Sequence, residues 1–121
     1  ASGDLRPVGE FPLGPDGAGE HAQPSAPVVS LDGRRLWAAV RGTDTVVVLA
    51  VDEDGERLEF LTSVPCGGSW PRDLVLHPSG DRLYAANERS GDVTWFDIDA
   101  EGVPRRAGAL DVPAASSVLF V

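Results

Sequence analysis

The chain has 121 residues, a length typical of one domain, and its 42% hydrophobic residues are enough to build a core. Its net charge is −9, from 19 acidic residues and 10 arginines without a lysine, so it lacks the clustered positive charge that nucleic acids and anionic membranes require. The single cysteine, Cys66, excludes an intrachain disulfide and favours a cytoplasmic location, and no apolar run approaches the roughly 18–20 residues of a membrane span.

Eight short strands are predicted between residues 26 and 112. Each is rich in β-branched or aromatic residues and is bounded by Gly, Pro, Asp or Ser. The segments "LDGR" and "PSGD" predict hairpin turns, and an amphipathic helical pattern nowhere persists for ten residues. In chain order, the predicted strands are Ala26–Ser30, Arg34–Val40, Thr45–Val51, Leu58–Val64, Asp73–His77, Arg82–Asn87, Asp92–Ile98 and Arg106–Val112.

The last four predicted strands repeat the first four at an offset of 47 residues. The offset pairs apolar with apolar residues and glycine with glycine. The matched positions are Gly33 and Gly80, Leu36 and Leu83, Trp37 and Tyr84, Val46 and Val93, Gly55 and Gly102, and, after one extra residue in the second copy, Val64-Pro65 and Val112-Pro113.

A four-stranded antiparallel unit repeated near 45 residues is typical of a β-propeller blade, so the predicted fold is all-β. Residues 21–68 and 69–113 are each predicted to form a whole blade. Residues 1–20, which include "LRPVGEFPL", are predicted to hold the outer part of a preceding blade, and residues 114–121 the innermost strand of a ring-closing blade. Because propellers close with roughly 4–8 blades, we expect either further blades in a longer chain or self-association of several copies.

Three stretches resemble the lactonase family of seven-bladed propellers, which includes a 6-phosphogluconolactonase and carboxymuconate-cyclase-like proteins. They are "LDGRRLWAAVRGTDTVVVLAVD", "CGGSWPRDLVLHPSGDRLYAANERSGDVTWFDID" and "VPAASSVLF". The resemblance covers about residues 5–121 and corresponds to the C-terminal third of such a protein. It implies hydrolysis of an anionic sugar lactone, with 6-phosphoglucono-1,5-lactone as the type substrate and no cofactor.

Arg72 is the main candidate for this chemistry. It lies in "WPRD" just before an innermost strand, so it should point at the mouth of the central channel, and the family motif has an arginine here. An arginine can bind an anionic group with two parallel hydrogen bonds or stabilise a developing oxyanion. The alternative is a structural arginine that pairs with Asp73 or Glu88 to tie two blades together.

Hairpin geometry brings further candidates to the same end of the blade as Arg72. Asp73 and Glu88 are the carboxylates predicted there, as a general base or as salt-bridge partners. Asn87 is a candidate for a substrate hydroxyl or for a turn, and Trp70 for a sugar ring or for packing between blades. His21, in the loop before the first whole blade, is a candidate ligand residue or a loop residue without a role.

The sequence does not predict a catalytic histidine or cysteine, a metal site or a phosphate-binding glycine loop. The hairpin geometry places His77 at the opposite end of the blade, and Cys66 has no base at a recognisable spacing, so a surface turn and a packing role are predicted for them. The chain has no metal-ligand spacing or phosphate-binding glycine motif.

Two positions depart from the resemblance. Many family members have an acidic residue and a histidine where this chain has Ala26 and Val28. This departure removes a possible acid–base pair. It motivates a second hypothesis, a propeller that binds a ligand or a protein without catalysis.

Overall fold

A computed structural model describes residues 23–115 together with 117 and 118, and these residues form two four-stranded antiparallel sheets. The strand orders are β1-β2-β3-β4, called the first blade here, and β5-β6-β7-β8, called the second blade. All eight strands predicted between residues 26 and 112 are present, with ends within three residues of the prediction, whereas the described residues of the predicted final strand, 114, 115, 117 and 118, are not in a strand. The strands are β1 Gln23–Val29, β2 Arg35–Arg41, β3 Thr45–Val51, β4 Leu58–Pro65, β5 Pro71–Leu76, β6 Arg82–Asn87, β7 Asp92–Ile98 and β8 Pro104–Asp111.

Some predictions fall outside the described residues. These are the outer strand predicted within residues 1–20, the candidate His21, and residues 116 and 119–121 of the predicted final strand. The described part of the chain contains no helix of the length and apolar character needed to cross a membrane.

The pairing register confirms the 47-residue repeat over the first three strands of each blade. Trp37 pairs with Val48 in the first blade, and Tyr84 pairs with Trp95 at the equivalent place in the second. Each blade also has a β-bulge at the same point between its third and fourth strands, after Val48 and after Trp95. The repeat is therefore structural as well as compositional.

The predicted match of Val64-Pro65 with Val112-Pro113 is wrong. Val64 pairs with Val46, and the residue that pairs with the equivalent Val93 is Leu110. The physical reason is a turn between the third and fourth strands that is one residue shorter in the second blade, so the recurrence of Val-Pro does not mark equivalent positions. The pairs that close the two turns are Val51 with Leu58 and Ile98 with Pro104.

The main core lies between the two blades. Trp37 and Val48 from the first blade pack with Leu83 and Phe96 from the second, and all four are at most 1% exposed. The indole Nε1–H of Trp37 donates to the carbonyl of Gly102 across the interface, at 2.8 Å. Burying a Trp this fully requires such a partner for its N–H, so apolar contact and a hydrogen bond fix the stacking together.

The blades approach each other most closely at their first strands. The contacts between them concentrate on β1, β2 and β5. The Ser25 hydroxyl of β1 adds a hydrogen bond to the carbonyl of Pro71 in β5, at 2.8 Å. In a propeller the innermost strands converge on the axis, so β1 and β5 occupy the inner positions.

The second blade carries a further face of the same kind, directed away from the first. Tyr84 and Trp95 occupy the positions of Trp37 and Val48, and their ring centroids lie 6.2 Å apart. Both rings are half-buried, and Leu110 on the same face is 61% exposed. This face has the composition of one that a neighbouring blade covers.

Each blade has two ends, and the two ends carry different residues. The mouth end comprises residues 23–25, 40–44, 66–73 and 87–91, where β1 and β5 begin and β2 and β6 end. The turn end comprises the hairpin turns at residues 30–34, 77–81 and 99–103. The pairing of Pro71 with Asn87 confirms that Arg72, Asp73 and Glu88 share the mouth end, with His77 at the other.

Candidate functional site

A β-bulge presents Arg72 at the mouth end. Pro71 pairs with Asn87 and Asp73 pairs with Ala86, so Arg72 has no residue opposite it in β6. Its side chain is 53% exposed. Bulges re-aim side chains and are frequent beside active sites. The first blade has a bulge at the same position, with Ser25 in place of Arg72, so the blade architecture supplies the bulge and the sequence supplies the arginine.

Glu88 holds the guanidinium of Arg72. The Nη1 of Arg72 donates to Oε2 of Glu88 at 2.7 Å, and the Glu88 side chain is 30% exposed. Both residues belong to the second blade, so the pair does not tie two blades together. A pair this exposed contributes at most about 1 kcal/mol to folding, so its main effect is to orient the guanidinium.

Asp73 is occupied by backbone groups. Its Oδ1 accepts the N–H of Leu74 at 3.0 Å, and its Oδ2 accepts the N–H of Val118 at 3.1 Å. The second bond draws the C-terminal segment to the mouth end, beside β5. Asp73 therefore positions the chain, and neither of its oxygens is left without a hydrogen bond.

Trp70 has an unusual backbone and two cationic neighbours. Its φ is 65°, in the left-handed region, and its N–H donates to Oδ1 of Asp44 at 2.9 Å. The Cζ of Arg89 lies 3.6 Å from the centroid of the indole, and the Cζ of Arg41 lies 5.7 Å from it. One face of the ring is therefore covered by a guanidinium and is closed to a sugar.

Arg41 and Arg89 were not among the predicted site residues. A signal was present, because Arg41 occupies the repeat position of Glu88, and Arg89 follows Glu88 at the predicted mouth end. What the repeat could not supply is the direction of the two side chains toward Trp70.

Asn87 lies beneath the mouth and is fully buried. Its Nδ2 donates to Oγ1 of Thr94 at 3.0 Å, and that hydroxyl donates to the carbonyl of Cys66 at 2.5 Å. Its Oδ1 has no hydrogen-bond partner among the described residues. A Cβ added at Gly68 would lie 2.7 Å from Cγ of Asn87, so only glycine leaves room for the amide. This network joins the end of the first blade to the second.

Cys66 and His77 do not belong to the site around Arg72, because Cys66 is buried and His77 lies at the turn end. Cys66 is buried, its Sγ–H donates to the carbonyl of Gly68 at 3.2 Å, and burial raises the pKa of the thiol to about 11. His77 lies at the turn end, where its Nδ1 is 2.7 Å from Oγ of Ser79. Within the described residues, no group of three or more His, Cys, Asp or Glu side chains is arranged to hold a metal ion.

A cleft of about 470 Å³, which was not predicted, opens between the blades at the turn end. It is lined by three hairpin turns, and the Nε–H of Arg35 crosses it to the carbonyl of Glu101 at 3.0 Å. Its aspartates are held by the turns themselves, as in Asp81, which accepts a hydrogen bond from the hydroxyl of Ser79. The cleft is at the opposite end from Arg72.

Comparison with known families gives a match over nearly the whole chain. Residues 1–120 match the family described as "Lactonase, 7-bladed beta-propeller". A 6-phosphogluconolactonase of Bacillus subtilis is 35% identical over 100 residues, which cover 83% of this chain and 29% of that protein. A 6-phosphogluconolactonase of Formosa agariphila is 32% identical over 75 residues, covering 60% of this chain and 21% of that protein.

Comparison with solved structures agrees. The periplasmic gluconolactonase PpgL of Pseudomonas aeruginosa superposes with a TM-score of 0.77 at 28% identity, over 98% of this chain and 31% of that one. A Lactobacillus plantarum protein superposes with a TM-score of 0.75 at 26% identity, over 82% of this chain and 30% of that one. The chain thus spans less than a third of the length of the relatives it matches.

Proposed function

Because this chain belongs to the lactonase family of seven-bladed β-propellers, we propose that it supplies the C-terminal blades of an enzyme that opens a sugar lactone with water. The proposed substrate is anionic, with 6-phosphoglucono-1,5-lactone as the type. The name of the Bacillus subtilis relative supports a phosphorylated lactone, and the name of the Pseudomonas aeruginosa relative supports a sugar lactone in general. In this proposal residues 1–20 and 114–121 belong to neighbouring blades, and further blades complete the ring.

The observation that carries the proposal is the exposed guanidinium of Arg72 on its bulge at the mouth end. In lactone hydrolysis, the oxygen of water attacks the carbonyl carbon, and negative charge develops on the carbonyl oxygen. Arg72 would donate hydrogen bonds to that oxyanion. Donors placed in advance where charge develops are the largest single contribution in many hydrolases.

Glu88 is the proposed general base. Its Oε2 holds Arg72, and its carboxylate is accessible at the mouth end. Asp73 is less suited, because both of its oxygens accept backbone N–H groups. In the proposed step a water molecule gives its proton to Glu88 while its oxygen bonds to the carbonyl carbon. The ring C–O bond then breaks, the departing oxygen takes up a proton, and a hydroxy acid results.

The test is lactone hydrolysis by the protein as encoded, followed by acid release above the spontaneous rate. Arg72→Ala should lower kcat/KM by about 100-fold or more, as loss of one oxyanion donor does elsewhere. Arg82→Ala is the matched control, because Arg82 is also an exposed arginine of the second blade paired with a carboxylate, Asp97, at 3.1 Å. A wild type without lactone hydrolysis would refute the function. Equal losses in the two variants would refute the role of Arg72.

A second candidate is a propeller that binds its ligand without turning it over. The observation that favours it is Val28, which packs against the core between the blades where many family members have a histidine. Calorimetric binding of 6-phosphogluconate in the absence of any lactone hydrolysis would favour this candidate.

We also propose a cytoplasmic location, on the basis of the single cysteine. The Pseudomonas aeruginosa relative is described as periplasmic, so the location needs its own test. Cell fractionation with detection of the tagged protein provides it, and recovery in the periplasmic fraction would contradict the proposal.

A further inference from the structure

The backbone at Trp70 is strained in a way that holds its ring in place. A φ of 65° is a conformation that glycine adopts freely, and a bulky side chain there is unfavourable. Two hydrogen bonds enforce it: the N–H of Trp70 donates to Asp44 at 2.9 Å, and its carbonyl accepts the N–H of Glu88 at 3.0 Å. Strain of this kind at a candidate site points to a task for the side chain.

The ring carries two guanidinium groups from different blades. Arg89, in the loop after β6, has its Cζ 3.6 Å from the ring centroid, which is the separation of stacked planar groups. Arg41, at the end of β2 in the first blade, has its Cζ 5.7 Å from the same centroid. Among the described carboxylates, none forms a salt bridge with either arginine. Within the described residues, two cations therefore meet on one ring without a carboxylate partner.

This pair of arginines lies beside the proposed reaction centre. The N–H of Arg89 donates to the carbonyl of Ser69 at 3.1 Å, which extends the pairing of β5 with β6 past their ends. Arg89 directly follows Glu88, whose carboxylate holds Arg72 at 2.7 Å. Arg41, Arg72 and Arg89 thus all belong to the mouth end of a chain whose net charge is −9.

We propose that Arg89, held flat by Trp70, is the residue that recognises the anionic substituent of the lactone, with Arg41 as a second cation and Arg72 left to the carbonyl. Stacking uses the face of a guanidinium and leaves the N–H groups along its edge available, so a phosphate can accept two hydrogen bonds from it. Trp70 is a positioning residue, because a side chain already held in place loses less entropy on binding. The proposal rests on the proposed function. It goes further because it assigns the selectivity for an anionic substrate to Arg89, Arg41 and Trp70.

The chemistry of the subsite selects between two lactones. A phosphorylated lactone such as 6-phosphoglucono-1,5-lactone gives Arg89 a partner, whereas neutral glucono-1,5-lactone does not. The wild type should therefore prefer the phosphorylated lactone. Arg89→Ala should raise its KM about 10- to 100-fold, the loss expected for a hydrogen bond to a charged group. The ratio of kcat/KM for the two lactones should fall by at least tenfold.

The experiment is steady-state hydrolysis of both lactones by the wild type, Arg89→Ala, Trp70→Leu and a control. Trp70→Leu should reduce the same ratio by a smaller factor, chiefly through KM. The control is Arg57→Ala, an exposed arginine of the turn between β3 and β4, which should leave the ratio unchanged. Thermal melting of each variant checks that it is folded. If Trp70→Leu does not fold, the selectivity of Arg89→Ala alone decides.

The outcomes separate this inference from the function on which it rests. If the wild type hydrolyses a lactone and Arg89→Ala changes both lactones equally or neither, the subsite is refuted and the hydrolase stands. If the wild type hydrolyses neither lactone, calorimetry with 6-phosphogluconate decides. Binding that is lost in Arg89→Ala supports the subsite without the hydrolase, and binding that persists refutes it.

Discussion

Replacing Thr94 with valine should break the buried hydrogen-bond chain that joins the two blades while preserving the shape of the side chain. The hydroxyl of Thr94 accepts from Nδ2 of Asn87 at 3.0 Å and donates to the carbonyl of Cys66 at 2.5 Å. All three residues are 0% exposed. Cys66 directly follows the first blade, so the second of these bonds crosses between the blades.

The expected magnitude follows from the groups left behind. Thr94→Val leaves one buried donor, on Asn87, and one buried acceptor, on Cys66, without a partner. Each such group costs about 1–3 kcal/mol. The added methyl group returns about 0.8 kcal/mol by burial. We therefore expect the free energy of unfolding to fall by about 1–5 kcal/mol.

The assay is urea unfolding of the protein as encoded, followed by tryptophan fluorescence. Thr43→Val is the matched control, because the Thr43 hydroxyl contacts Thr45 at 3.0 Å on the surface and its loss should cost less than about 0.5 kcal/mol. Thr94→Ser keeps the hydroxyl and should be more stable than Thr94→Val. If Thr94→Val is no worse than Thr43→Val, or if Thr94→Ser and Thr94→Val are equal, the reasoning fails.

Two further predictions concern the same region. Gly68→Ala places a Cβ 2.7 Å from Cγ of Asn87 and should lower the free energy of unfolding by about 1–3 kcal/mol. Adding Asn87→Ala should relieve this clash, so the double variant should lose less stability than the sum of the two single variants. Strictly additive losses in the double-mutant cycle would contradict the prediction. Cys66 should react with a thiol reagent at pH 8 roughly 100-fold more slowly than in the unfolded chain, because burial raises its pKa from 9.0 to about 11. Equal labelling rates in the folded and unfolded chain would contradict this prediction. Because the pKa of the thiol is higher in the folded chain, the stability linked to it is present below pH 9 and is lost between pH 9 and 11.

The fold was predictable because the strand and turn pattern of one blade occurs twice in the sequence. Trp37 and Tyr84 fall at the same point of two strands with matching turns around them, and the register places both as expected. The shared end of Arg72 and Glu88 followed from hairpin geometry, since strands joined by a turn bring their far ends together. The hairpin argument needs only the sequence of one blade, and the repeat needs only the comparison of two.

What the sequence could not supply depends on contacts between the blades. Asp44 holds the backbone of Trp70 from 26 residues away, and that bond helps fix the φ that turns the indole toward Arg89. The burial of Asn87 likewise depends on the absence of a Cβ at Gly68. The register of β8 was missed for a local reason, because a turn shortened by one residue moves every later match.

The face of Tyr84 and Trp95 has a consequence for how such a protein is made. It repeats the surface that Trp37 and Val48 present to the second blade. One face of a blade is therefore complementary to the opposite face of another blade, which is a heterologous, head-to-tail contact. During synthesis each folded blade therefore exposes an apolar face until the next blade emerges from the ribosome and covers it. A chain whose next blade has not yet formed keeps this surface exposed, and exposed apolar surface of this kind promotes misassembly with a second chain.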